Sequence, residues 1–368
     1  MGDRLKTVFL GLELSSPLVI GSGPLSYDGR GVIRAFRAGA GAVTTKTIRD
    51  DPADNPLPHM AVAGRDSLVN AEKWSDIPGE SWVESEIPRA KDAGAVVIAS
   101  VGHTPAEAER WVPLVDRAGA DAIELVSYDE ATLVPMLRLA KAATGKPVLA
   151  KLSPGWPSVV GSAKAALAAG ADGITAIDSM GPALRIDIET GRPLLGGAGG
   201  SGWLSGAAIK ALALRLVADI AAASGAPVLG TGGVSSAEDA VEMLMAGAGA
   251  VGLCTAPILR GVGCLGELNE RLEGLMERLG YGSIAEISGR ALPFLRAEES
   301  RRRYAFAYES SRCTLCGLCV RVCPYEARSL SGREMVLDGS VCRLCGLCAS
   351  ACPTGALRIG PLEGQEQG

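Results

Sequence analysis

Eight short apolar runs separated by Ala- and Leu-rich stretches of helical spacing, and two closing copies of a CxxCxxCxxxCP pattern, predict an α/β chain. The fold expected is a TIM (β/α)8 barrel with a C-terminal α+β ferredoxin-like domain for two [4Fe–4S] clusters. The candidate strands cover residues 17–21, 42–46, 96–100, 122–126, 148–151, 173–177, 227–230 and 250–254. Each stops at a Gly-rich or polar break. Between them, 107–118, 158–169, 207–223 and 237–246 have helical spacing, and strands alternating with helices pair in parallel. Four phrases, Gly39-Ala40-Gly41-Ala42, Gly119-Ala120-Asp121-Ala122, Gly170-Ala171-Asp172-Gly173 and Gly247-Ala248-Gly249-Ala250, mark helix stops leading into strands. They repeat architecture and carry no chemistry.

The cysteine runs are Cys313, Cys316, Cys319 and Cys323 before Pro324, then Cys342, Cys345, Cys348 and Cys352 before Pro353. In such a pair, three thiolates cover three corners of one cubane and the fourth crosses to the other cluster. Cys313, Cys316, Cys319 and Cys352 are therefore expected on one cluster, and Cys342, Cys345, Cys348 and Cys323 on the other. Zinc sites or a disulfide framework are the alternatives, but zinc usually takes two separated pairs rather than three plus one. The domain division expected is a barrel over 1–295, a linker over 296–311, the ferredoxin domain over 312–360 and a flexible tail over 361–368.

Of 368 residues 47% are hydrophobic, ample for a large core plus a small satellite domain. Cys254 and Cys264 alone lie outside the cluster runs, which suits a reducing cytoplasm. No secretory leader and no run of 18 apolar residues is evident, so neither export nor a membrane is expected. A net charge of −5 argues against a nucleic-acid surface, and Arg301, Arg302 and Arg303 read as solvated linker charge. The five tryptophans, Trp74, Trp82, Trp111, Trp156 and Trp203, are either packing or site residues.

In a (β/α)8 barrel the functional groups follow the strands. Those positions hold Ser22 and Gly23, Lys46, Gly102 and His103, Ser127 and Tyr128, Lys151, Asp178 and Ser179, Gly232 and Gly233, and Cys254 and Thr255. Lysines at two inward strand ends are costly unless an anion faces them. The turn 230–239, GTGGVSSAED, and the segment 252–256, GLCTA, follow strands seven and eight, where a barrel usually seats a phosphate. A phosphate-bearing cofactor is the expectation.

Three segments carry a family likeness: Val148-Leu149-Ala150-Lys151-Leu152-Ser153-Pro154, Ile186-Asp187-Ile188-Glu189-Thr190-Gly191-Arg192-Pro193, and Leu204-Ser205-Gly206 before Ala208-Ile209-Lys210. They resemble the FMN barrel of class 1 dihydroorotate dehydrogenases. With its ferredoxin domain the whole chain resembles the pyrimidine-reducing half of dihydropyrimidine dehydrogenase. The resemblance implies FMN, with Lys151 at the pyrimidine edge of the flavin and Lys46 as a second flavin lysine. It also implies Gly232, Gly233, Cys254 and Thr255 around the phosphate, Cys254 replacing a usual glycine, and Asn70 on the loop over the flavin. Ser22, Gly23, Asp178, Ser179 and Gly206 complete the expected cofactor contacts.

The departures fall on the substrate side. After the fourth strand the family has an Asn-x-Ser-Cys-Pro type segment and a long loop bearing the acid, where this chain reads Val126-Ser127-Tyr128-Asp129-Glu130 and enters a helix. Asp178 and Ser179 replace an asparagine and a threonine, and Trp203 is inserted before Leu204-Ser205-Gly206. Tyr128, His103 and Asp178 are the candidate acids; for Glu124 an inward or outward direction is open, and His59 in 50–79, a possible lid segment, reads as surface. The expected activity is that of an FMN and iron–sulfur oxidoreductase acting on an unsaturated small molecule other than dihydroorotate. A dihydropyrimidine or dihydroorotate dehydrogenase with a relocated acid, and an electron-relay subunit without substrate, are the alternatives. No Rossmann GxGxxG turn is evident, so a ferredoxin or an NAD(P)H-oxidising flavoprotein subunit is the expected electron partner, with self-association left open.

Overall fold

The computed structural model describes residues 3–295 and 304–361, which fall into two compact units divided after Leu295. In the first, eight parallel strands close a barrel: β1 (Leu18–Ile20), β2 (Ala42–Thr44), β3 (Val97–Val101), β4 (Ala122–Leu125), β5 (Val148–Leu152), β6 (Gly173–Ala176), β7 (Val228–Thr231) and β8 (Ala250–Leu253). Neighbours in sequence are neighbours in the ring, and β8 pairs with β1. The helices Pro105–Arg117, Glu130–Ala143, Val159–Ala168, Lys210–Ser224 and Ala237–Met245 are among those around it. Asp129 caps Glu130–Ala143 by accepting from the Ala131 N–H at 2.9 Å, and residues 126–129 alone carry β4 into that helix.

The N-terminal end of the barrel is devoted to packing. A hairpin of Thr7–Phe9 and Leu12–Leu14 lays Phe9 and Leu14 against Val19, Ala42, Ile98, Ala122, Leu149, Leu229 and Ala250, a closed apolar layer. The four helix stops reach their strands through glycines in the left-handed region: Gly39 (φ +111°), Gly119 (+100°), Gly170 (+105°) and Gly247 (+106°). In two of them the following aspartate does the same job. Asp121 accepts from the Val97 N–H at 2.8 Å and pairs with Lys91 at 2.5 Å; Asp172 accepts from the Val148 N–H at 2.8 Å and pairs with Lys141 at 2.8 Å. Each carboxylate satisfies a strand N–H at the end where the barrel begins.

An antiparallel four-stranded sheet, absent from the sequence reading, is inserted after β2 and β6. Its order is Met180–Leu184, Ser201–Gly206, Ser67–Asn70, Met60–Gly64. Residues 50–79, read as a possible lid, supply two of its strands, and its register sets Trp203 opposite Asn70. Trp82 and Trp111 are buried packing residues.

In the second unit the two cysteine runs follow one backbone path. Leu315 and Leu344 adopt φ of 55° and 52°, Gly317 and Gly346 take φ of 70° and 80°, and each glycine opens a short helix, Leu318–Arg321 or Leu347–Ser350. Arg328–Ser331 pairs with Glu334–Leu337, and Tyr304–Tyr308 with Leu357–Pro361, both antiparallel. The linker expected over 296–311 is thus corrected in part: Tyr304–Tyr308 is a strand of the ferredoxin-type domain. A strand needs a partner, and Leu357–Pro361, near the far end of the domain, supplies it. The rest of that segment up to residue 303, with Arg301, Arg302 and Arg303, and the tail from 362 lie outside the described residues. Among the described residues no helix is long and apolar enough to cross a membrane.

Candidate active site

At the C-terminal ends of the strands a cavity of about 480 Å³ opens, within the size range of small-molecule sites. Ser22, Gly23, Lys46, Asn70, His103, Tyr128, Lys151, Asp178, Ser179, Gly206, Gly232, Gly233, Cys254 and Thr255 all line it. Glu72, Lys73, Trp74, Glu124, Trp156, Thr175 and Trp203 share the lining. His59 does not; its Nδ1 sits 3.1 Å from the Pro56 carbonyl.

One side of the cavity is built by backbone. Gly232 and Gly233 have φ of +127° and +81°, and a Cβ on Gly233 would come within 2.6 Å of Lys210 Cβ. Only glycine makes that turn, which presents main-chain rather than side-chain atoms to whatever binds. Thr255 Oγ1 donates to Ser205 Oγ at 2.8 Å and joins the loop after β8 to the inserted sheet. A side chain on Gly23 would meet Cys254 Sγ at 2.8 Å, so the β1 and β8 loops are in close approach. Burial pushes the Cys254 thiol up to about 11, leaving it protonated at neutral pH.

The floor is ionic. Lys46 pairs with Glu72 at 2.6 Å and Lys151 with Asp178 at 3.3 Å. Burial works against the charge on Lys151, yet the carboxylates of Asp178 and Glu124 outweigh it and raise its pKa, so it stays cationic. Glu124 points inward, settling its direction. Its Oε2 accepts from Thr175 at 2.8 Å, its Oε1 is buried without a hydrogen-bond partner, and burial raises its pKa.

The remaining wall is aromatic. His103 lies 4.2 Å from Tyr128 and 6.0 Å from Trp74, ring centre to ring centre, and Trp203 stacks toward Tyr128 at 6.3 Å with 25° between planes. Tyr128 and Trp203 are 61% and 43% exposed, so their ring faces are open to a ligand. Partial loss of water at the cavity mouth and then the Asp178 carboxylate push the Tyr128 phenol up, so it keeps its proton at neutral pH. Glu107 supports this wall: it accepts from the His103 N–H at 2.5 Å and from Arg49 Nε at 2.7 Å, and Arg49 lies 4.3 Å over Trp74. Sequence reasoning missed Glu72, whose only signal was position in the segment containing Asn70, and left Trp74 open between packing and site.

His103 is buried, its Nδ1 has no hydrogen-bond partner, and burial followed by the Arg49 charge lowers its pKa to about 4. Below its unfolded value near 6.5 the unfolded chain binds the proton that the folded chain refuses, so stability falls as pH drops from about 6.5 to 4. Replacing His103 with Gln should flatten that part of a melting-temperature profile. An unchanged slope would show that another group controls it.

In the second unit, Cys313, Cys316, Cys319 and Cys352 line one small cavity with Met335 and Leu357. The fourth thiol comes from the second run. Among the described residues no three His, Cys, Asp or Glu side chains converge on a point that one metal ion would occupy. All ten cysteines are free thiols, and the four ring a space, as a polynuclear cluster requires.

Comparison with known proteins places both units. The profile described as dihydroorotate dehydrogenase matches residues 118–276, and that of the 4Fe-4S dicluster domain matches 312–356. Dihydroorotate dehydrogenase B (NAD(+)), catalytic subunit, of Pyrococcus abyssi is 34% identical over 310 residues, covering 78% of this chain and 99% of that protein. The chain belongs to the dihydroorotate dehydrogenase family. Proteins of the same description from Methanosarcina mazei and Exiguobacterium sibiricum are 36% and 33% identical, over 76% and 78% of this chain and 93% and 97% of their own. As a member of the dihydroorotate dehydrogenase family joined to a ferredoxin-type domain, it is a flavin-dependent oxidoreductase acting on CH–CH bonds, with FMN and iron–sulfur as its cofactors.

Proposed function

We propose that this enzyme interconverts a planar, conjugated ring compound and its CH–CH reduced form, and that the compound is not dihydroorotate. The observation behind the reading is the wall of Trp74, His103, Tyr128 and Trp203 beside the Lys151–Asp178 pair. Flat aromatic faces select a flat ligand, and a carboxylate at the floor favours a hydrogen-bond donor or a cation over an anion. A substrate carboxylate such as that of orotate would meet Asp178 and the inward Glu124, with Lys151 already paired.

The residues fit FMN. Gly232, Gly233, Cys254 and Thr255 would hold its phosphate, Lys151 and Lys46 its ring edge, and Ser22, Gly23, Asn70, Ser179 and Gly206 the remainder. Bound there, FMN exchanges two electrons as hydride with carbon and single electrons with iron–sulfur. Lys151, cationic and buried, opposes negative charge at its edge of the site. The aromatic rings hold the ligand plane and exclude water. Reducing a C=C bond needs a hydride at one carbon and a proton at the other; Tyr128 Oη delivers that proton and recovers one from solvent at the open rim. His103, neutral at pH 7, orients Tyr128 through ring contact and does not titrate near neutrality.

Two [4Fe–4S] clusters complete the proposal, one on Cys313, Cys316, Cys319 and Cys352, the other on Cys323, Cys342, Cys345 and Cys348. A ferredoxin or an NAD(P)H-oxidising flavoprotein subunit is the electron partner. The similarity to dihydroorotate dehydrogenase B catalytic subunits favours the second reading, a pyrimidine dehydrogenase with a relocated acid. Anaerobic preparations should contain one FMN and about eight irons per chain. With dihydroorotate, dihydrouracil, uracil and thymine they should turn over about 10²- to 10⁴-fold more slowly than an enzyme with a positioned loop acid. Turnover of dihydroorotate at about 10 s⁻¹, an ordinary enzymatic rate, establishes the second reading instead.

A further inference from the structure

The ferredoxin-type unit contains a buried cation that has no ion-pair partner among the described residues. Arg328 opens Arg328–Ser331 and is 4% exposed. Its Nη1 lies 3.2 Å from Met335 Sδ, a weak acceptor, and its guanidinium covers the Phe306 ring at 4.5 Å. Nε and Nη2 are buried and have no hydrogen-bond partner among the described residues. Arginine cannot shed its proton, so burial without an anion is unfavourable. Met335, which Arg328 touches, lines the cavity ringed by Cys313, Cys316, Cys319 and Cys352. Met335 also packs in one apolar cluster with Phe306, Cys319 and Cys352, so the guanidinium lies against the residues that hold two of those thiols in place.

We propose that Arg328 is the counter-charge of the cluster in that cavity and raises its reduction potential, so that electrons rest there in preference to the cluster of Cys323, Cys342, Cys345 and Cys348. The inference rests on the ligand assignment proposed above. An oxidised [4Fe–4S] core with four thiolates has a net charge of −2, and one added electron makes it −3. A fixed cation stabilises the second state more than the first, and the low dielectric of a buried site enlarges the difference. Arg328 therefore separates the two clusters energetically although their cysteine runs are alike.

The test is a potentiometric titration of the full-length chain, anaerobic, with dithionite as the one-electron donor and electron paramagnetic resonance as the readout. In Arg328→Met, which keeps bulk and removes charge, one cluster should need a potential lower by ~59 mV or more, a tenfold change in its reduced-to-oxidised ratio, while the other stays put. Arg328→Lys should keep most of the wild-type value. Both clusters unchanged in Arg328→Met, with full iron, overturns the proposal. Should Arg328→Met lose iron, Arg328→Lys decides: retained iron shows that the charge holds the cluster, and iron lost there too shows a packing role and overturns it. A wild-type chain without iron or cluster signals refutes the ligand assignment instead.

Discussion

Replacing Tyr128 with Phe is expected to lower the reduction of a planar cyclic enone by about 10²- to 10⁴-fold while leaving FMN content unchanged, because the ring face stays and only the proton donor goes. Re-oxidation of the flavin by 1,4-naphthoquinone supplies the control, since a quinone takes its electrons and protons at oxygen and needs no acid beside a carbon. Equal losses with both acceptors would mean that Tyr128 supports the site rather than protonates the substrate. The alkaline limb gives a further reading. With the phenol pKa raised, activity through Tyr128 should persist across neutral pH and be lost only on the alkaline side of the ordinary tyrosine range.

Lys151→Ala is expected to act on two levels. It leaves Asp178 and the inward Glu124 facing one another without their cation, which should cost about 2–3 kcal/mol of stability, toward the low end for a buried pair because Asp178 is about one-third exposed. It also removes the positive charge expected beside reduced FMN, so flavin should be lost or its potential should fall. Adding Asp178→Asn should return part of the stability and none of the flavin affinity. If the double variant regains both, Lys151 serves its neighbour rather than the cofactor.

The barrel was legible because each strand is a short apolar run, four of them entered through a glycine stop, a local signal that needs no knowledge of partners. The strand-end rule then led to Lys46, Lys151, Gly232 and Gly233 directly, since those residues follow their strands in sequence. Glu72 was not found, and Trp74 was left undecided, for the opposite reason: they reach the cavity through the inserted sheet, whose pairing of Met180–Leu184 and Ser201–Gly206 with Ser67–Asn70 and Met60–Gly64 joins segments over a hundred residues apart. The same holds for Glu107, read only as the start of a helical stretch, whose capping of the His103 turn and contact with Arg49 depend on the folded chain. Tyr304–Tyr308 read as linker because its partner strand, Leu357–Pro361, lies near the far end of its domain.

The aspartates Asp121 and Asp172 secure the barrel at the end remote from the cavity, each tying a strand start to a neighbouring lysine. Substitutions at the opposite rim therefore leave these ties and the apolar layer around Phe9 untouched. The segment after β4 and the inserted sheet around Trp203 can therefore change without disturbing the packing that closes the barrel. A library confined to exposed rim positions such as Tyr128 and Trp203, leaving the Lys151–Asp178 pair and His103 in place, should yield mostly folded variants.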